Sequence, residues 1–173
     1  SRTLTILDAG LSAGSIDLIR RLRPDIVLLC GGTDGGNVPG VVSLAEYLAV
    51  ADPRPRVGGG RLPVVFAGNP AARDALQEVL GERFTVSCVD NVRPDIGYEV
   101  LDPARREVHR VFLEHVMSRA PGYSKLLDWS SRRLEPTPRA VGTMMELFAR
   151  RSGADLLGID IGGATTDIFS VLD

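Results

Sequence analysis

Several kinds of residue and pattern are scarce in this chain, and each scarcity removes a class of function. Only two of its 173 residues are cysteine, Cys30 and Cys88. They lack C-x-x-C spacing and lie in apolar, strand-like runs, so buried free thiols are expected rather than a disulfide, redox pair or metal site. Twenty Lys and Arg are offset by 22 Asp and Glu, for a net charge of −2. With no basic stripe, nucleic acid is not expected as a partner. No apolar run has the length of a membrane span and no signal-peptide pattern is read, so a cytoplasmic protein without a membrane partner is expected. Internal repeats and low-complexity tracts are also missing. His109 and His115 have no Ser or Cys partner at a recognisable spacing, which makes them packing or surface residues rather than catalysts. Glu107 and Glu114 read as solvated helix charges.

What is present describes a folded domain. Apolar residues make up 44% and charged residues 24% of the chain, a balance that excludes disorder. The length suffices for one cored domain, or for one domain and part of another. Because the chain opens on Ser1 and stops on Asp173 just after a strand, a piece of a longer protein is expected.

In order along the chain, alternation over residues 2–7 predicts a short strand, and Ser15 an N-cap for a helix bearing Ile16, Leu18, Ile19 and Leu22. The run Ile26 to Cys30 is uninterrupted and apolar, as in a parallel strand covered on both faces, and is expected to be the innermost strand. A helix is expected from Val41 to Val50, and residues 53–60, rich in proline and glycine, form a loop. Val64 to Ala67 predicts a strand, Pro70 to Leu80 a helix stopped by Gly81, and Phe84 to Val89 another strand. Strands separated by helices of suitable length predict an α/β fold with a largely parallel sheet flanked by helices. Helical spacing recurs over Pro103 to Met117. The following segment, with Tyr123 and Trp129, reads as a loop or short helix whose tryptophan anchors it, although Trp129, Tyr123, Arg132 and Arg133 are also candidates for a partner surface. Thr137, as N-cap to Pro138, opens a helix through Phe148, with Arg150 and Arg151 in its last turn and Gly153 as its end. The expected domains are an α/β unit over 1–155 and the start of a second subdomain over 156–173.

Ligands of open parallel sheets bind at the carboxyl ends of the strands. Here these ends are Gly31, Gly32, Thr33, Asp34, Gly35, Gly36 and Asn37, then Gly68 and Asn69, then Asp90 and Asn91. Asn69, Asp90 and Asn91 suit turns and helix starts as well as sites. Four glycines in seven residues let a ligand or another chain approach the backbone of Gly31 to Asn37, in either a functional or a packing role. The stretch is neither G-x-G-x-x-G nor a P-loop with its lysine.

The closing stretch, LGIDIGGATTDIFSVL, places apolar runs at Leu156 to Ile161 and Ile168 to Leu172 around Gly162, Gly163, Ala164, Thr165, Thr166 and Asp167. A β-hairpin is expected. Glycines let backbone N–H groups face a phosphate, a hydroxyl donates to it, and the carboxylates of Asp160 and Asp167 suit a magnesium ion and its water. The alternative is a glycine turn with incidental polar residues.

DIGGATTD resembles the second phosphate-binding motif of the superfamily of actin, sugar kinases and heat-shock chaperone ATPases. More narrowly, RPDIVLLCGGTDGGN, VVFAGNP, VDNVRPDIG, Pro103 to Arg105, PTPRAV and IDIGGATTDIFSV are similar, in the same order, to the MutL/GlmL family. That family is encoded beside adenosylcobalamin-dependent glutamate mutase and is unrelated to the mismatch-repair protein that shares the first name. The resemblance implies a Rossmann-like piece of an actin-like ATPase fold. It also implies a chaperone that exchanges damaged cobalamin from a mutase at the expense of ATP. By position it places Asp160 near the metal and its water, Gly162, Gly163 and Thr165 near the β- and γ-phosphates, and Asp167 in support. Ala164 stands where many chaperone relatives carry a third glycine. The first phosphate motif and the adenosine-binding region do not occur in the chain, so ATP and Mg²⁺ are expected as cofactors of a full-length ATPase and this piece alone is expected to be inactive. The alternative is a non-catalytic interaction module or small-molecule-binding domain that uses the Gly31 to Asn37 loop.

Overall fold

The structure, a computed structural model, describes residues 13–57, 59–131, 135–163 and 166–172. The strand expected over residues 2–7 lies outside them. The chain divides into two compact units, Ser1–Tyr123 and Ser124–Asp173.

The first unit carries helices α1 (Ala13–Leu22), α2 (Pro39–Ala51), α3 (Arg73–Leu80) and α4 (Asp102–His115) with strands β1 (Val27–Leu29), β2 (Leu62–Phe66) and β3 (Phe84–Cys88). The strands form a parallel sheet in the order β1-β2-β3, with Val64 beside Val27 on one side and Val86 on the other. The α/β class with a parallel sheet flanked by helices is therefore observed. The expected position of the β1 run is corrected. Among the described residues β2 is the inner strand, with every residue buried, while Leu28 of β1 is half exposed. Apolar continuity marked both runs, but only pairing on both edges makes a strand central.

Successive strand residues face opposite sides. Leu62, Val64 and Phe66 join Val41, Ala45, Leu48, Leu76, Leu80 and Phe84 in one buried cluster beneath α2 and α3. On the other side, Val65 is fully buried and α4 packs against β2 with Ala104 and Val111 buried. Pro70 opens a 3₁₀ turn, Pro70–Ala72, that runs directly into α3, and Gly81 follows the helix as expected. Ser15 lies inside the first turn of α1, not before it, because the helix includes Ala13.

The second unit contains most of α5 (Tyr123–Trp129), then α6 (Thr137–Ser152) and the antiparallel pair β4 (Leu156–Ile161) and β5 (Thr166–Val171). Helix α6 begins on Thr137 itself, with Pro136 as the residue before it and no side-chain cap. Gly153 ends it with a φ of 61°, the left-handed turn that glycine allows, and its N–H bonds to the carbonyl of Ala149. Trp129 is 79% exposed, so it does not anchor its segment; Arg132 and Arg133 lie outside the described residues.

Candidate functional site

The three strand ends of the first unit converge. Ladder-like bonds run outward from the sheet, from Ala67 N to Leu29 O, Asn69 N to Gly31 O, Val89 N to Phe66 O and Val92 N to Ala67 O, each 2.9 to 3.0 Å. Two asparagines then stitch the loops. Asn69, fully buried, donates through Nδ2 to Gly36 O at 3.1 Å and accepts from Ala71 N at 3.1 Å, so it holds the Gly31 to Asn37 loop and starts the 3₁₀ turn. Asn91, 3% exposed, donates to Gly32 O at 2.9 Å and Asp34 Oδ1 at 2.8 Å and accepts from Arg93 N at 3.0 Å. Polar groups this buried are stable only when bonded.

Gly31, Gly32 and Gly36 allow this closeness. Gly32 has a φ of 67°, and a Cβ there would lie 2.6 Å from Asn37 O. Thr33 O accepts from Gly36 N at 2.9 Å, and Asn37 Oδ1 accepts from Gly40 N at 2.8 Å, which caps the start of α2. Asp34, Gly35, Gly36 and Asn37 are exposed, beside the turn that displays Ile96 and Tyr98 and is tied to the loop by Asp34 N to Pro94 O, 3.0 Å. Much of the loop's hydrogen bonding is therefore satisfied by neighbouring segments of the protein. Sequence reasoning placed Asn69 and Asn91 at the edge but did not foresee their bonds; an Asn three residues beyond a strand end and beside glycine or aspartate is the signal that was there.

The cysteines differ from expectation. Both are free, but Cys30 is half-buried and Cys88 exposed. Desolvation holds both thiols above the ordinary cysteine range, and at Cys88 the positive charge of Arg73 opposes it. Arg73 itself donates through Nη2 to Val89 O at 2.8 Å, while its buried Nε has no bonding partner. Glu107, expected to be a solvated charge, has a side chain only 16% exposed. Its carboxylate accepts from Arg110 Nε at 2.9 Å, and that pairing foremost, with a smaller contribution from Ser87, holds its pKa below the usual carboxylate value against partial desolvation.

In the second unit, β4 and β5 pair as Leu156↔Val171, Gly158↔Phe169, Asp160↔Asp167 and Ile161↔Thr166. The expected hairpin forms, but Thr166 and Asp167 belong to the strand and not to the turn. Ala164 and Thr165 lie outside the described residues. Asp160 and Asp167 are thus direct cross-strand neighbours, both half-buried, on the strand faces shared by Leu156, Gly158, Phe169 and Val171. Opposed β-carbons in such a pair are about 4.5–5.5 Å apart, and like charges there repel. Gly162 and Gly163 are exposed, with open space around a Cβ position on Gly163. Among the described residues no three His, Cys, Asp or Glu side chains gather as a metal cluster. The acid pair fits Mg²⁺ in the way this ion is commonly held, by one or two carboxylates together with phosphate oxygens and water.

The family profile described as "MutL protein" matches residues 1–173. The chain belongs to the MutL protein family. A curated MutL family relative, "Protein MutL" of Clostridium tetanomorphum, is 32% identical over 179 residues, covering 100% of this chain and 37% of the relative. The chain therefore spans about 37% of the length of that MutL protein. No solved structure gives a significant match. Among the described residues no helix is long and apolar enough to cross a membrane.

Proposed function

We propose that this MutL family chain is the part of an actin-like ATPase that contributes the second phosphate-binding hairpin, and that the longer protein reactivates an adenosylcobalamin-dependent mutase. One observation carries the ATPase reading: Asp160 and Asp167 face each other on consecutive hairpin strands, one rung in from the Ile161–Thr166 pair at the strand ends. Two like charges on one rung weaken a hairpin, and a divalent cation with a polyphosphate is the ligand that converts them into an asset. In this reading Asp160 orients water at Mg²⁺, Gly162 and Gly163 donate backbone N–H groups to phosphate, Thr165 adds its hydroxyl, and Asp167 completes the charge pair. Nucleotide state would alter the conformation of the longer protein and so its hold on the mutase.

The family likeness of the whole chain supports the mutase connection. The competing reading, an interaction or small-molecule module at Gly31 to Asn37, is weakened by the internal bonding of that loop. The test is ATP turnover by a MutL protein of the relative's full length. Asp160→Ala abolishes turnover if the reading is right, and unchanged turnover removes Asp160 from the site. Calorimetry of Mg-ATP on the 173-residue chain and on the longer protein separates the readings: binding by the longer protein alone fits a divided site, whereas binding by this chain alone favours a self-contained ligand domain.

A further inference from the structure

We propose that the seating of Met145 on the bare backbone of Gly158 positions the Asp160–Asp167 rung, so that both are positioning residues for the magnesium–nucleotide chemistry proposed above, on which this inference rests. Gly158 lies within β4, where glycine weakens a strand unless something comes close to its backbone. Here a Cβ would lie 2.4 Å from Sδ and 2.5 Å from Cε of Met145. Across the same rung, the ring of Phe169 lies 3.6 Å from the Cβ position of Gly142, one helical turn before Met145. Two glycines, one on the strand and one on the helix, therefore bring α6 and the hairpin together at a single rung.

The next rung on that face is the acid pair, about 6.6 Å further along the strands. The chain reverses between α6 and β4 through Gly153 to Asp155, so the step from Gly158 to Asp160 runs toward the amino-terminal end of α6. A shift of β4 at Gly158 is carried to Asp160 by the shared ladder. The thioether of Met145 is flexible and borders an open groove of about 530 Å³ lined by Ala140, Val141, Met144, Met145, Phe148 and Leu156. A lone added methyl is absorbed by rotation of Met145 into that groove. A β-branched side chain is stiff and lifts the strand.

The experiment uses the full-length MutL protein and compares the wild type, Gly158→Ala, Gly158→Val, Met145→Ala and the Gly158→Val/Met145→Ala pair for ATP kinetics and thermal unfolding. Gly158→Ala should stay within about threefold of wild type, and Gly158→Val should lower kcat about tenfold or more with KM little changed, as misplacement of a reacting group does. The double variant, whose smaller helix residue makes room, should recover to within about threefold, a non-additivity expected only of residues in contact. Full kcat in Gly158→Val, or a double variant as impaired as the product of the single losses, overturns the proposal. Should Gly158→Val fail to fold, Met145→Ala decides: a fall in kcat at constant KM supports the positioning role, and an unchanged kcat overturns it. A wild-type protein without ATP turnover instead overturns the ATPase reading and this inference with it.

Discussion

Asn91 donates one buried side-chain amide to two acceptors in a loop far back in the chain, the carbonyl of Gly32 at 2.9 Å and the carboxylate of Asp34 at 2.8 Å. It is thereby the clasp between the end of β3 and the glycine-rich loop after β1. Replacing it by Leu leaves the partly buried Gly32 carbonyl without this donor. The expected loss is about 1–3 kcal/mol, read as a lower midpoint of urea unfolding at unchanged slope. A loss below about 0.5 kcal/mol would mean that the loop finds its bonds elsewhere.

Gly68 approaches the same loop with its backbone. A Cβ there would lie 2.6 Å from Gly31 O and 2.8 Å from Gly31 N, which belong to main chain and cannot rotate away. Gly68→Ala should cost about 1–3 kcal/mol through overpacking. Gly97→Ala, where nothing stands within 4 Å, should stay within about 0.5 kcal/mol. Equal effects in equilibrium unfolding would contradict the close approach.

The low pKa of Glu107 gives stability a defined pH dependence. A carboxyl that is more acidic folded than unfolded releases its proton more readily in the folded state. Its contribution is complete above the ordinary glutamate value of about 4.3 and is lost as pH falls through the lower folded value. Glu107→Gln removes the pair with Arg110, so the variant should lose less stability than the parent as pH falls below about 4.3. Parallel stability curves for the two proteins through that acid range would refute the contribution of the Glu107–Arg110 pair.

Thiol reactivity separates the two cysteines. Desolvation depresses the thiolate fraction of both, but Cys88 is exposed and its thiolate gains from Arg73. Iodoacetamide at neutral pH should label Cys88 before Cys30, because reaction needs both access and thiolate. Arg73→Gln should slow labelling of Cys88 and shift its pH profile upward; an unshifted profile would remove Arg73 as the cause.

These cases also show what sequence pattern can carry. The turn into a helix at Pro70, the Gly153 stop and the three parallel strands follow from local chemistry that acts within a few residues, so they were legible. Whether IVLLC or LPVVF lies inside the sheet depends on which edges are paired, and both runs are equally apolar. The clasp of Asn91 on Asp34 joins residues distant in the chain, so no local spacing announces it. At the hairpin, residue types marked the acids and glycines in advance, while the strand register that opposes Asp160 to Asp167 required the fold.

That opposition makes a test in which stability and function move in opposite directions. Without a cation, Asp160→Asn removes a cross-strand repulsion and should stabilise the hairpin by up to about 1 kcal/mol, seen as slower hydrogen exchange in the amides of β4 and β5. With Mg²⁺ and nucleotide in the full-length MutL protein, the parent should gain protection at the same amides and the variant should not, because ligand binding stabilises only the state that binds it. An incidental polar turn makes a different forecast: Asp160→Asn would relieve the same repulsion, but Mg²⁺ with nucleotide would leave exchange unchanged in both proteins. A site selected for ligand charge tolerates a cost in its free form, so a parent that gains protection from the ligand beside a stabilised variant that does not is the outcome that identifies the acid pair as functional.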